Sequence, residues 1–220
     1  MVPVFFGKDI ADVYGRRNPF IAREGVVPMA LVAVTGVLLA VYASSWLALL
    51  AGIAFVFLFL LFRDPRRHVP AIALGVVSPV DGTVESVMQT SACFLPGDAH
   101  RVRIRTNSFG AYTARSPVEG TIMDLQSDLP DGAGDCPANA LWLRTDEGED
   151  VVLQFAGYRL GLAPRSFVRL GERLGQGHRC AYLRLAKYAD VYIPLAGKVE
   201  VEPGARVLAG TDLLGRVPRG

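Results

Sequence analysis

From residue 26 to residue 62 the chain carries no acidic or basic side chain. That absence excludes a solvated surface for the stretch, because an element facing water keeps polar groups on its wet side. Histidine and cysteine are scarce as well, with three of each in 220 residues. Cys93, Cys136 and Cys180 lie far apart and form no Cys-x-x-Cys pair, which argues against a zinc site; an odd number argues against a full disulfide framework. They are expected to be small buried apolar residues in a reducing compartment. No metal site is expected. There is no basic stripe interleaved with aromatics and no zinc-finger spacing, so nucleic acid is not expected as a partner. A net charge of +2 selects no partner of either sign.

What is there begins with the apolar run itself. Apolar residues make up 51% of the chain and concentrate between residues 26 and 62, leaving the remainder with the composition of a soluble domain. One spanning helix needs about 20 residues, so this run is too long for one crossing and suits two. Ser44-Ser45-Trp46 supplies the break. The expected element is a transmembrane helical hairpin with arms near residues 27–43 and 46–61, short enough that a shallow re-entrant hairpin is the alternative. Arg16, Arg17 and Arg23 precede it and Arg63, Arg66 and Arg67 follow it. Basic flanks stay on the cytoplasmic side, so an even number of crossings leaves both flanks and the C-terminal domain in the cytoplasm. The run exceeds the ~7–15 residues of a signal-peptide core, and no small-residue cleavage site follows. Phe5, Phe6, Ile10, Val13 and Tyr14, mixed with Lys8, Arg16 and Arg17, suit an interfacial amphipathic segment. The expected organisation is residues 1–25 as that cytoplasmic or interfacial segment, 26–62 as the hairpin and 63–220 as a mainly β domain.

After Arg63 the pattern changes to short strands with turns. Gly75-Val76-Val77-Ser78-Pro79 leads into the turn signal Asp81-Gly82, and Thr83-Val84-Glu85-Ser86-Val87 alternates. Residues 101–105 alternate charge with Val102 and Ile104. Residues 141–143 and 151–155 flank the acidic turn Asp146-Glu147-Gly148-Glu149-Asp150, and residues 190–193 and 198–201 are followed by Pro203-Gly204. No long stretch has a helical period, and the spacing of glycine and proline is that of a compact all-β domain. Residues 125–138, rich in Asp, Gly and Pro, read as a long surface loop. Pro194-Leu195-Ala196-Gly197-Lys198-Val199 echoes the turn at Pro79, and the ending at residues 203–210 has the pattern of biotinyl- and lipoyl-type β-sandwiches. Lys198 sits in the wrong part of that unit for a carrier lysine.

Several motifs occur in the order found in one family. Ile21-Ala22-Arg23-Glu24-Gly25 precedes the apolar run, and Phe62-Arg63-Asp64-Pro65-Arg66-Arg67 follows it. Val77-Ser78-Pro79-Val80-Asp81-Gly82-Thr83-Val84, Arg115-Ser116-Pro117-Val118-Glu119-Gly120-Thr121-Ile122, Phe155-Ala156-Gly157 and Asp190-Val191-Tyr192-Ile193-Pro194 come next. Over almost the whole chain this order resembles the short bacterial phosphatidylserine decarboxylases. The resemblance implies a phosphatidylserine-decarboxylase-like β domain behind a membrane hairpin, at the bacterial inner membrane.

It also implies a chemistry. Decarboxylation needs an electron sink, which that family makes from its own chain: a serine after glycine is activated by a base, the chain splits, and the serine becomes an N-terminal pyruvoyl group. Aligned back from Pro194, the family's Gly-Ser pair falls on Ala186-Lys187. The family's histidine and aspartate fall on Tyr112 and Gly110; of the processing residues, only Asp81 is retained. No pyruvoyl cofactor is therefore expected. The basic run Arg159, Arg165, Arg169, Arg173, Arg179, Arg184 and Lys187, with Arg115, is expected to face anionic phospholipid headgroups. Arg115, Arg159, Arg165, Arg184 and Lys187 are the candidate binding residues. The expected function is phospholipid binding or regulation of phospholipid metabolism without pyruvoyl chemistry. A second copy of the chain and an active decarboxylase are the candidate protein partners. Two alternatives stand beside it: an active decarboxylase making phosphatidylethanolamine, and a membrane-tethered β-domain scaffold.

Overall fold

A computed structural model describes residues 20–70, 72–91, 98–126, 140–158 and 162–218. Residues 1–19 of the expected N-terminal segment, Cys93, Cys136, Arg159 and most of the 125–138 loop lie outside the described residues.

Two helices open the described chain, α1 (Arg23–Tyr42) and α2 (Ser45–Phe62). Both are long and apolar enough to cross a membrane, and few of their residues are buried in protein. At 1.5 Å per residue they reach about 30 and 27 Å, the thickness of a bilayer's hydrocarbon core. They separate at the expected break: the Ala43 and Ser44 amides both donate to the Leu39 carbonyl, and the Ser44 carbonyl receives the amides of Leu47 and Ala48. The open end is tied by backbone. Ala22 N–H donates to the Phe62 carbonyl at 2.9 Å and Asp64 N–H to the Phe20 carbonyl at 2.7 Å. Gly25 lies against the Phe62 ring so closely that a Cβ there would collide with it.

The rest is β structure: β1 (Gly75–Val77), β2 (Gly82–Ser91), β3 (Asp98–Thr106), β4 (Thr113–Arg115), β5 (Gly120–Gln126), β6 (Ala140–Arg144), β7 (Asp150–Tyr158), β8 (Arg165–Ser166), β9 (Arg173–Leu174), β10 (Arg179–Tyr182), β11 (Ala186–Pro194), β12 (Lys198–Val199), β13 (Arg206–Val207) and β14 (Leu213–Arg216). Among the described residues the large sheet runs β13-β2-β3-β11-β7-β6-β5-β9, and two small sheets, β1-β14-β12 and β4-β10-β8, accompany it. The helical hairpin and the mainly β domain agree with the sequence expectation.

Side-chain alternation sorts the large sheet into two faces. Val102, Ile104, Leu141, Leu143, Val151, Leu153, Phe155, Ala189, Val191 and Ile193 share one buried face with Val76, Val84 and Leu214. The opposite face holds a smaller cluster of Ala99, Ala140, Val152 and Tyr192 under Trp142. Register on this wetter face is fixed by polar pairs. Asp190 stands opposite Arg103 and Gln154, and Arg103 grips its carboxylate with two hydrogen bonds of 2.8 and 2.7 Å. Tyr192 O–H donates to Gln154 Oε1 at 2.8 Å. A slip of one residue would turn this whole set into the core.

Cys180 on β10 is fully buried, and burial pushes its thiol up to about 12. Replacing Ile104, which has no exposed surface, by alanine is expected to cost about 2–5 kcal/mol, measured as a lowered denaturant midpoint with an unchanged slope.

Candidate functional site

The linker after α2 is bolted to the β domain by a buried carboxylate. Asp64 has no exposed surface; it accepts a hydrogen bond from Thr113 Oγ1 and pairs with the Arg179 guanidinium. Arg115 Nη2 stands 3.6 Å from it. Arg115 is itself only 2% exposed and donates to the carbonyls of Gly177 and Pro65, each at 3.1 Å. Burial lowers its basicity, and the Asp64 charge opposes that loss. Arg115 thus lies in the interior holding the linker, with both terminal nitrogens of its guanidinium engaged in these contacts.

Asp81, on the turn before β2, braces three separate segments. Its Oδ2 accepts from Arg67 Nη2 at 2.9 Å and from the Ala111 amide at 2.8 Å. Its Oδ1 accepts from the Ala209 amide at 2.7 Å. Gly110 is pressed against it, and a Cβ at 110 would lie 2.6 Å from Asp81 Cβ. The Asp81 side chain leaves no room here for the aspartate that the family resemblance puts at position 110.

Tyr112 and Arg184 converge on Glu24, in the first turn of α1. The Tyr112 hydroxyl donates to Glu24 Oε2 at 3.0 Å. Arg184 reaches both carboxylate oxygens through its Nε, at 3.1 Å each, and pairs through Nη2 as well. These bonds hold Arg184 more firmly protonated than usual, against the effect of burial. Burial, then the Glu24 charge, pushes the Tyr112 phenol well above its ordinary range. The Tyr112 ring packs between Phe62 at the foot of α2, 4.8 Å between centroids, and Tyr182 at 5.9 Å. Sequence reading singled out Tyr112 and Arg184 but not Glu24. The signal was a lone acid immediately before an uncharged run.

Between β10 and β11 the chain turns through Arg184 and Leu185, with φ of 45° and 69°, and the Ala186 amide donates to the Leu183 carbonyl at 2.9 Å. Two successive left-handed residues are the pattern of a mirror-image hairpin turn, where glycine and asparagine are favoured. For arginine and leucine it costs about 1–2 kcal/mol each. Packing and bonding hold it: Leu183 N–H donates to the Tyr112 carbonyl at 3.0 Å, and Thr106 Oγ1 donates to the Ala186 carbonyl. Lys187 follows on β11, exposed, its Nζ 4.9 Å from the centre of the Tyr188 ring. Of the expected headgroup residues, Arg165 and Lys187 are exposed, Arg184 is ion-paired and Arg115 is interior. Among the described residues no three His, Cys, Asp or Glu side chains group as metal ligands.

The structure therefore defines a β domain docked on a helical hairpin, with a strained turn at the junction. The chain is 37% identical over 209 residues to the phosphatidylserine decarboxylase proenzyme of Nitrosomonas europaea, covering 90% of this chain and 95% of that one. It is 34% identical over 208 residues to the proenzyme of Nitrosomonas eutropha and 31% identical over 208 residues to that of Burkholderia ambifaria, with 90% of this chain covered in both cases and 95% and 96% of theirs. This chain belongs to the phosphatidylserine decarboxylase family. No family model matches it. Among solved structures, the glucose permease IIA from Mycoplasma capricolum superposes with a TM-score of 0.43 at 18% identity, over 64% of this chain and 94% of that one, which bears on nothing functional.

Two substitutions test the junction. Asp64→Ala leaves the buried Arg115 without its ion-pair partner and is expected to cost about 3–5 kcal/mol of stability, read by thermal unfolding. At position 185, Leu185→Val is expected to melt below Leu185→Gly, since a β-branched residue at positive φ is an outlier and glycine is not.

Proposed function

We propose that this protein is a phospholipid-binding member of the family that keeps its chain intact. The observation carrying this reading is the residue pair at the position of the family's processing bond, Ala186-Lys187. Formation of a pyruvoyl group needs a hydroxyl on the residue that becomes the new N-terminus, and position 187 offers an exposed amine. The hydroxyl that does reach this peptide, Thr106 Oγ1, bonds the Ala186 carbonyl from a different strand. Attack from there would leave an ester between strands and no serine at an N-terminus. The residues present do not fit the prosthetic group.

The neighbouring replacements support the same reading. Tyr112, at the family's histidine position, is committed to Glu24 and packed between Phe62 and Tyr182. Asp81 is occupied by Arg67 and two backbone amides, which a turn-bracing role explains. In the proposed arrangement α1 and α2 cross the bacterial inner membrane, the basic flanks and the β domain face the cytoplasm, and Arg165 and Lys187 meet anionic headgroups. Such a protein would act in phospholipid binding or in regulating phospholipid metabolism, alone, as an oligomer or beside an active decarboxylase. The opposing reading, a working phosphatidylserine decarboxylase, has in its favour that the relatives are phosphatidylserine decarboxylase proenzymes and that Asp81 is present.

Intact mass of the purified full-length chain, paired with carbon dioxide release from phosphatidylserine, separates the two. One uncleaved chain without turnover is expected. Two fragments meeting near Ala186, or clear turnover, overturn the proposal. For binding, a short-chain anionic phospholipid titrated into the detergent-solubilised protein should bind about fivefold more weakly to each of Arg165→Ala and Lys187→Ala, one basic group near lipid contributing about 1 kcal/mol. Unchanged affinity in both removes the headgroup assignment and leaves the scaffold reading.

A further inference from the structure

β3 ends at Thr106, and the chain crosses to β4 through Asn107-Ser108-Phe109-Gly110. This turn is built rigidly. Asn107 Oδ1 accepts the Phe109 amide at 3.1 Å, and the Gly110 amide returns to the Asn107 carbonyl at 2.9 Å. Asp81 holds both ends, its carbonyl accepting the Asn107 amide at 2.8 Å and its carboxylate the Ala111 amide. So firm a frame carries at its tip an apolar ring that is 47% exposed.

The exposed ring points along α2. Phe109 meets Phe57 edge-on, with centroids 5.8 Å apart and planes at 82°. Phe57 lies five residues before the end of α2, about 7.5 Å back along the helix axis at 1.5 Å per residue. Phe109 therefore stands beside the uncharged body of the helix, well past the basic cluster that begins at Arg63. Phe57 keeps 51% of its own surface, and its exposed neighbours Ile53, Val56 and Leu60 are all apolar. Each ring keeps about half of its surface despite the contact. An apolar patch of this extent marks a contact surface, and here it is continuous with a helix long and apolar enough to cross a bilayer. At the end of the β3–β11 pair that feeds the turn, Arg105 and Lys187 are exposed, and such residues favour lipid headgroups over acyl chains.

We propose that the Phe109 turn is a second membrane contact, inserted at the boundary between headgroups and acyl chains beside α2. The assignment rests on the reading that the hairpin enters a bilayer and adds a contact made by the β domain itself. It fixes the domain's tilt, so that the segment carrying Ala186 and Lys187 is held against the headgroup layer.

The test uses the full-length chain in liposomes of phosphatidylethanolamine and phosphatidylglycerol. Single tryptophans are placed at Phe109, at Leu50 in α2 and at Met88, in a Trp46→Phe, Trp142→Phe background that keeps the parent melting temperature. Met88 pairs with Arg101, five residues along β3 from Thr106, or about 17 Å from the turn. Lipids brominated high on their acyl chains should quench Phe109→Trp and Leu50→Trp at least about twofold and leave Met88→Trp bright, as insertion of an apolar side chain to that depth requires. If Leu50→Trp is quenched while Phe109→Trp behaves like Met88→Trp, the turn stays in water and this proposal is overturned while the hairpin reading stands. If Leu50→Trp also stays bright, the hairpin reading fails and carries this proposal with it.

Discussion

A single carboxylate with no exposed surface, Asp64, sets the relation between the two parts of this protein. It sits two residues past α2, so whatever grips it grips the helix. Thr113 and Arg179 do so from β4 and β10, and Arg115 closes over it while bonding the Pro65 carbonyl. Three positive or polar groups around one buried charge resist removal of any member more than they contribute in sum. Everything at the junction follows from this fixing: Phe62 can lie on Tyr112, Glu24 can reach Arg184, and the 107–110 turn comes up beside α2.

The positions to which the family resemblance assigns its processing residues make a consistent set. The family's aspartate position is a glycine whose absent side chain lets the backbone close on Asp81. The family's histidine position is a tyrosine whose longer reach makes it a bridge to the hairpin. The position of the family's serine is a lysine turned out of the sheet, stacked on its neighbour Tyr188. On the proposed reading, each residue standing where the family resemblance puts a proton-moving group packs, bonds or meets solvent instead. Just before that lysine the chain makes a turn with two side-chain-bearing residues at positive φ. The bonding that holds this turn therefore carries a conformational cost at the junction of the two parts.

Much of this was legible in the residues. The hairpin was, because an uncharged run has few alternatives and its break lay where small polar residues interrupt it. The long strands β2, β3, β7 and β11 were, because their alternation matches a sheet with one apolar face. Strands of two residues, such as β8 and β13, leave no pattern to read. Partners far apart in sequence were equally hidden: nothing local to Glu24 announces a contact with Arg184, and nothing local to Arg115 announces burial. Arginine is interior only where a carboxylate is interior too, and Asp64 looked like part of a basic linker. The same blindness made the positive run of residues 159–187 look uniform, whereas the structure divides it between exposed residues such as Arg165 and ion-paired ones such as Arg184.

Cys180 gives the core a built-in clock. Its sulfur has no exposed surface, and a thiol titrating near 12 offers almost no thiolate at neutral pH. Because the thiolate is the form that reacts with alkylating reagents, modification at this position must wait until the β4-β10-β8 layer parts from the large sheet. Its labelling rate in the folded protein therefore counts openings of the domain interior, and any ligand that holds the domain closed slows the count without touching the sulfur.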